Sequence, residues 1–394
     1  MIPRSLACAA LCAASTFALA AGNEIRIAHV YDKTGPFEAY ATQTQAGLML
    51  GLQHATGGTM TVNGKKIVVV ERDSKGKPDI GKAQLAAAYA DDNADLAVGA
   101  TSSGVTLAML PVAEEYAKVL LVEPAVADSI TGDKWNRYVF RTGRNSSQDA
   151  IANAAALDRE GTIVATLAQD SAFGRDGVAA FRDALKKAKL AHEEYLPMTT
   201  TDFTAGAQRL IDKLKDKPGR KVIWIIWAGV GNPFKIADLG LARYGIEIAT
   251  GGNILPAMAL YKAHPGMEGA TYYYYDMPKN PVNDALVAMH RKQYNNAPPD
   301  FFTAGGFSAA MAIVTALKKT GGDTDSEKLI KAMEGMRFDT PKGPMTFRKE
   351  DHQALQSMYH FRVSAGARPG TLADLRLVRE IRSEEMDLPV RNVR

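Results

Sequence analysis

The strongest constraint on the fold is an alternation of short apolar runs with helical patterns, which passes along the chain twice. Residues 25–30 read as a strand and 42–55 have helical periodicity. A second strand at 66–71 follows an Asn63-Gly64 pair of hairpin type. An Ala-rich helix at 80–90, a strand at 95–98, a helix at 105–117 despite Pro111, and a strand at 119–122 complete the first series. The pattern restarts with a strand at 162–167, a helix at 177–188, a strand at 192–196 and a helix at 205–214. The run VIWIIWAGV at 222–230 has the length and the β-branched, aromatic character of a buried strand, and a helix at 233–243 follows. Alternation of this kind predicts parallel sheets with helices on both faces. The two series, about 24–143 and 144–276, each have the size of an α/β domain.

Beyond Asp276 the pattern changes to helices at 282–294, 303–319 and 326–335, with short strands near 345–347 and 357–363. This tail has no core of its own, so it is expected to return to both units. No segment of 18 consecutive apolar residues marks a membrane span. The 47 basic and 43 acidic side chains leave a net charge of only +4, which excludes a nucleic-acid partner recognised by bulk charge.

The first twenty residues, MIPRSLACAALCAASTFALA, carry a lone Arg4, an uncharged Ala/Leu-rich run and Ala18-Leu19-Ala20, the small-x-small pattern of a cleaved signal peptide. Cleavage after Ala20 would leave 374 residues and remove both cysteines, Cys8 and Cys12. Neither cysteine follows a convincing lipidation motif. The expected product is an exported, cysteine-free protein with no disulfide and no thiolate nucleophile.

The residues give little support to an enzyme. The seven histidines show no metal spacing, and there is no Gly-x-Ser-x-Gly elbow. The glycines from Gly58 to Gly64 are one residue too far apart for a phosphate loop, and Phe234 stands where a dinucleotide motif beginning at Gly229 needs its third glycine. No cofactor or metal is indicated. Thr101-Ser102-Ser103-Gly104, between a strand and a helix, is more informative. Free N–H groups and hydroxyls there suit a carboxylate, although plain N-capping accounts for the same residues. Its place beyond the carboxyl end of a strand favours a ligand. Arg137, Arg141 and Arg144 read as solvated or structural charges. By strand parity Trp224 and Trp227 face opposite ways, so at most one reaches a cleft. The Tyr272–Tyr275 run, read as a strand, would split its rings between core and cleft.

The chain resembles the leucine-binding-type solute receptors of bacterial ABC importers, the type I periplasmic binding proteins. The resemblance is carried by Thr34-Gly35-Pro36, Val62-Asn63-Gly64-Lys65-Lys66, Gly99 to Gly104 with Pro111-Val112-Ala113-Glu114, Tyr138-Val139-Phe140-Arg141-Thr142, Asp202-Phe203-Thr204, and Phe338-Asp339-Thr340-Pro341 with Gly343-Pro344. It implies two doubly wound parallel-sheet α/β lobes joined by three crossovers, the third near Phe347. The lobes would comprise 21–143 with 277–346 and 144–276 with 347–394. It also implies a periplasmic monomer that closes over a small carboxylate and delivers it to ABC permease subunits. A sensor subunit of the same fold is the main alternative, and a periplasmic hydrolase is less supported. Carried over by position, Tyr40 and Phe173 match ligand-contacting aromatics, Ser102 and Ser103 the carboxylate holders, and Ala125 a backbone carbonyl that faces the ligand. Amino-acid receptors hold the ammonium with a Thr and an acidic residue, and those positions correspond here to Val126 and Asn253. An unpaired buried ammonium is costly, so the expected ligand lacks an α-amino group, with Tyr40, Phe173 and Trp227 as apolar walls. Asp276 and Glu38 are the candidates for a compensating charge.

Overall fold

The computed structural model describes residues 22–364 and 374–392, so the proposed signal peptide lies outside the described residues. The first sheet has the spatial order Thr61–Val62, Lys65–Asp73, Glu24–Tyr31, Leu96–Gly99, Leu120–Val122, Val139–Arg141. All neighbours are parallel except the two-residue edge strand, which Asn63 and Gly64 turn back onto Lys65 with φ 48° and 79°. Helices cover both faces, so the central strands are buried on both sides, and Leu96–Gly99 and Leu120–Val122 read as unbroken apolar runs.

The second sheet runs Ile246–Thr250, Arg220–Ile226, Thr162–Gln169, Lys189–Leu196 and is parallel throughout. Each sheet reverses its winding beside its first strand. The crevice of an open α/β sheet forms at such a reversal, beyond the carboxyl ends of the strands. In the first sheet this places residues 32–37 and 100–103 at the crevice, and in the second 170–173 and 227–229.

The tail returns to the first sheet and to strand Glu268–Thr271, which lies outside the second parallel sheet. Helix Phe301–Lys319 packs against helix Glu38–Ala55 and joins the first sheet's core beside Ile25, Val98 and Phe140. A Cβ on Gly47 would lie 2.0 Å from the Thr303 carbonyl, and one on Gly306 2.0 Å from that of Thr44, so this close approach depends on both glycines. Phe301–Lys319 is long and apolar enough to cross a membrane, but 83% of its most apolar window is buried, which is the pattern of a core helix. Strands Arg337–Thr340, Gly343–Phe347 and Ala354–Leu355 form an antiparallel group that reaches the first sheet through an Arg141–Gln353 bridge. Met358–Val363 then pairs antiparallel with Glu268–Thr271 and Leu375–Ile381 at the second lobe.

Several local expectations are corrected. The strand at 222–230 ends at Ile226, and the helix at 233–243 is two 3₁₀ turns, Pro233–Leu239 and Leu241–Tyr244, separated by Gly240 at φ 83°. The tyrosine run begins one residue after the strand Glu268–Thr271, so strand parity does not govern it. Tyr272, Tyr273 and Tyr274 are all buried. Helix Ser146–Leu157 and strands Val139–Arg141 and Ile246–Thr250 lie where the apolar pattern gave no element.

Candidate ligand-binding site

The two crevices face each other across one cleft. On the first-lobe side the chain leaves strand Leu96–Gly99 and enters helix Ser103–Glu115 at Ser102. The turn is fixed from below, where the Ser102 N–H donates to Asp32 Oδ2 at 3.0 Å and the Ser74 hydroxyl takes the other oxygen. The first helical bond runs from Thr106 N to Ser102 O. The N–H groups of Ser103 and Gly104 therefore have no intrahelical acceptor, and this end of the helix favours negative charge. The Ser102 hydroxyl makes no capping bond. Ser103 Oγ accepts from the N–H of Val126 (3.3 Å) and of Ala127 (3.2 Å), which leaves its own proton to donate.

Helix Ser146–Leu157 adds the cleft's charged pair. Asn145 caps it through a capping box with Gln148, and this sets Arg144 and Asp149 on either side of the helix start. Arg144 Nε donates to Asp149 Oδ1 at 2.9 Å, and the guanidinium lies over the rings of Phe301 (4.9 Å) and Tyr272 (5.5 Å). Burial raises the Asp149 carboxyl against the opposing pull of Arg144.

The second lobe supplies the apolar wall. Ser171 caps helix Ala172–Ala184 through Gly174 N, placing Phe173 on its first turn. Gln169 Nε2 donates to Ala228 O at 2.6 Å, and the Trp227 indole donates to Val230 O at 2.8 Å, so the loop after strand Arg220–Ile226 is tied to its own lobe.

Of the residues singled out from sequence, Tyr40, Ser102, Ser103, Val126, Phe173, Trp227 and Asn253 line this cleft. Ala125 does not. It is 2% exposed within the first lobe's core, and its carbonyl turns to the Arg141 guanidinium at 3.5 Å. Trp224 and Trp227 do pack on opposite faces of the sheet, Trp224 with Val222 and Ile226 and Trp227 with Ile223 and Ile225, yet both line the cleft, which the expectation of at most one did not allow. Arg137 is exposed and paired with Glu327, as expected of a solvated charge, and the fully buried Arg141 is structural. Arg144, by contrast, is a cleft residue. Asp276 pairs with Lys279 at the surface and Glu38 is exposed, so neither enters the lining. Asp149 is the carboxylate that does, and sequence reasoning missed it. The Asn145…Gln148 capping box was the signal for the helix that carries it.

The Asn253 and Asn153 amide oxygens already accept from the N–H of Ile254 (2.8 Å) and Ala270 (2.9 Å). The Thr101 hydroxyl and Trp224 indole N–H are buried without a partner.

Comparison with known proteins agrees with this geometry. The family model described as periplasmic binding protein matches residues 24–368. The Leu/Ile/Val-binding protein homolog 3 of Brucella melitensis is 26% identical over 351 residues, 87% of this chain and 92% of that protein. A solved ABC-type branched-chain amino acid transporter protein from Rhodopseudomonas palustris is 65% identical, with a TM-score of 0.83 over 94% of this chain and 100% of that one. A second R. palustris structure, an ABC-transporter solute-binding protein in complex with 3,4-dihydroxybenzoic acid, is 26% identical, with a TM-score of 0.81 over 93% and 99%. The family match spans both sheets and the cleft between them, and the chain therefore belongs to the periplasmic binding proteins, as a substrate-binding protein of an ABC transporter.

Proposed function

We propose that the protein captures a small carboxylate lacking an α-ammonium group, an aromatic or aliphatic acid, and delivers it as a periplasmic monomer to ABC permease subunits. In this reading the leader ends at Ala20, and the chain passes between lobes near residues 143 and 276. The pairing of Ala354–Leu355 with Gly343–Phe347 supports a third passage near 356 in place of the expected 347.

The observation that carries the ligand class is the donor surplus of the cleft. Ser102, Ser103, the helix N–H groups and Arg144 all offer hydrogens. Three of the cleft's side-chain oxygens already accept a hydrogen each, Asn253 from Ile254 N, Asn153 from Ala270 N and Asp149 from Arg144. A carboxylate would sit at the start of helix Ser103–Glu115, and its apolar body would lie against Phe173, Trp224 and Trp227. The relative bound to 3,4-dihydroxybenzoic acid supports an aromatic acid.

A second reading has one observation in its favour, namely that Asp149 is in the lining and has a second oxygen to offer an ammonium. The branched-chain amino acid assignment of the 65%-identical relative points the same way. A thermal-shift and calorimetry panel of benzoate, 4-hydroxybenzoate, 3-phenylpropionate, leucine and phenylalanine separates the two. A ligand at 100 times its Kd adds about 2.7 kcal/mol. The proposal expects this for one or more of the desamino acids, and a response to leucine or phenylalanine alone would overturn it.

A further inference from the structure

Contacts that need no ligand join the two sides of the cleft. The Tyr40 hydroxyl of the first lobe accepts from the Gly229 N–H of the second at 2.9 Å. Gly229 has φ +76°, and a Cβ there would lie 3.0 Å from Phe37 Cε1 and 3.1 Å from the Pro36 carbonyl, so this loop rests directly on the start of the first lobe's helix. Deeper in the joint, Asp300 accepts from the Leu255 N–H at 2.9 and 3.0 Å through its two oxygens, while also capping helix Phe301–Lys319 at Phe301 N and receiving Gln43 Nε2. Gly229 follows strand Arg220–Ile226 and Leu255 follows strand Ile246–Thr250, so two neighbouring strands of one sheet each send one backbone donor across the cleft.

We propose that Tyr40 and Asp300 are positioning residues of lobe closure, retaining the ligand by receiving Gly229 and Leu255 rather than by binding the ligand's polar end. This assigns the Tyr40 hydroxyl a different task from the ligand contact that family position implies, and leaves its ring, 4.7 Å from that of Phe302, as wall. The inference rests on the carrier reading only in that a carrier closes over its cargo. It makes no assumption about which cargo.

The donors are backbone groups, so the contacts cannot distinguish one ligand from another. Removing them shortens every bound state alike. A net hydrogen bond contributes about 1 kcal/mol, close to fivefold in a rate.

Stopped-flow dissociation of leucine and of 4-hydroxybenzoate, whichever of them the wild type holds, tests this with Tyr40→Phe and Asp300→Asn. Asn remains a good helix cap. Each variant is expected to release the probe about three- to tenfold faster, with association rates and the melting temperature of the free protein little changed. Gly229→Ala, which alters neither acceptor, is expected to do the same through its clash with Phe37. Unchanged dissociation in Tyr40→Phe and Asp300→Asn overturns the inference. So does an effect on only one of two bound probes, which would make the altered group a ligand contact. Leucine binding alone would sink the desamino-acid reading and leave this inference open to the same measurement.

Discussion

The two walls of the cleft are built from different materials. The first-lobe wall is made of hydroxyls and backbone N–H groups at the start of helix Ser103–Glu115, held in place by Asp32 and by the turn at Val126. The second-lobe wall is made of rings, Phe173, Trp224 and Trp227, packed on Phe181 and Phe203. A fixed set of donors reads charge, and a set of rings reads size and shape. In the proposed reading, this division assigns the recognition of an acid to one lobe and the choice among acids to the other.

Arg144 lies between these walls, and removing it should have the largest effect. In Arg144→Ala the cleft loses its cation and Asp149 loses its partner, so carboxylate affinity should fall by about a hundredfold, in line with the 2–5 kcal/mol typical of truncating a buried charge pair. Isothermal titration reads this directly, and an effect under threefold would remove Arg144 from the charge-reading wall.

The joint behind that wall predicts an effect of similar size on stability rather than binding. Glu123 is buried beside Arg144, Lys342 and Arg141, with Thr142 Oγ1 donating to it at 3.0 Å, and burial pushes its carboxyl up to about 7 from an ordinary 4.5. The folded state thus holds this proton more tightly than the unfolded one. Its contribution is fully present below pH 4.5 and is lost as pH rises through 7, on the order of 3 kcal/mol in all. Glu123→Gln should remove that slope, so wild type and variant melting curves should diverge between pH 4.5 and 7. Parallel curves would show that folding leaves the proton affinity of Glu123 unchanged.

Ser103→Ala comes next. It deletes the cleft-lining hydroxyl that receives Val126 N and Ala127 N, with an expected affinity loss of about 2 kcal/mol for every acid in a panel. Phe173→Ala should cost about 1 kcal/mol, and mainly for ligands large enough to reach it. If the two substitutions change the rank order of ligands equally, the division between charge-reading and size-reading walls is wrong.

The sequence disclosed the sheets because strands buried on both faces are written as unbroken apolar runs, as in Leu96–Gly99 and, after its first two residues, Arg220–Ile226. It concealed helix Ser146–Leu157, whose buried face is mostly alanine and small polar residues, with no stripe of large side chains to give a period. That omission hid Arg144 and Asp149. A lone charge gives no local sign of whether it meets water or a cleft, and Arg137 and Arg144 are indistinguishable until the tail helix brings Phe301 over one of them. Ala125 shows the converse limit. Family position indicated which stretch forms the turn, while the direction of one carbonyl depended on Arg141, a residue assigned to surface or scaffold.

The return of Phe301–Lys319 to the first sheet has a consequence for the order of assembly. Ile25, Val98 and Phe140 share a core with Ala309, Ile313 and Leu317, so the half of the molecule that is synthesised first is the half that waits longest for its last layer. Contacts so distant along the chain slow folding. During that interval the first-made strands keep an uncovered apolar face, and the nascent chain remains a substrate for whatever machinery handles unfolded polypeptide.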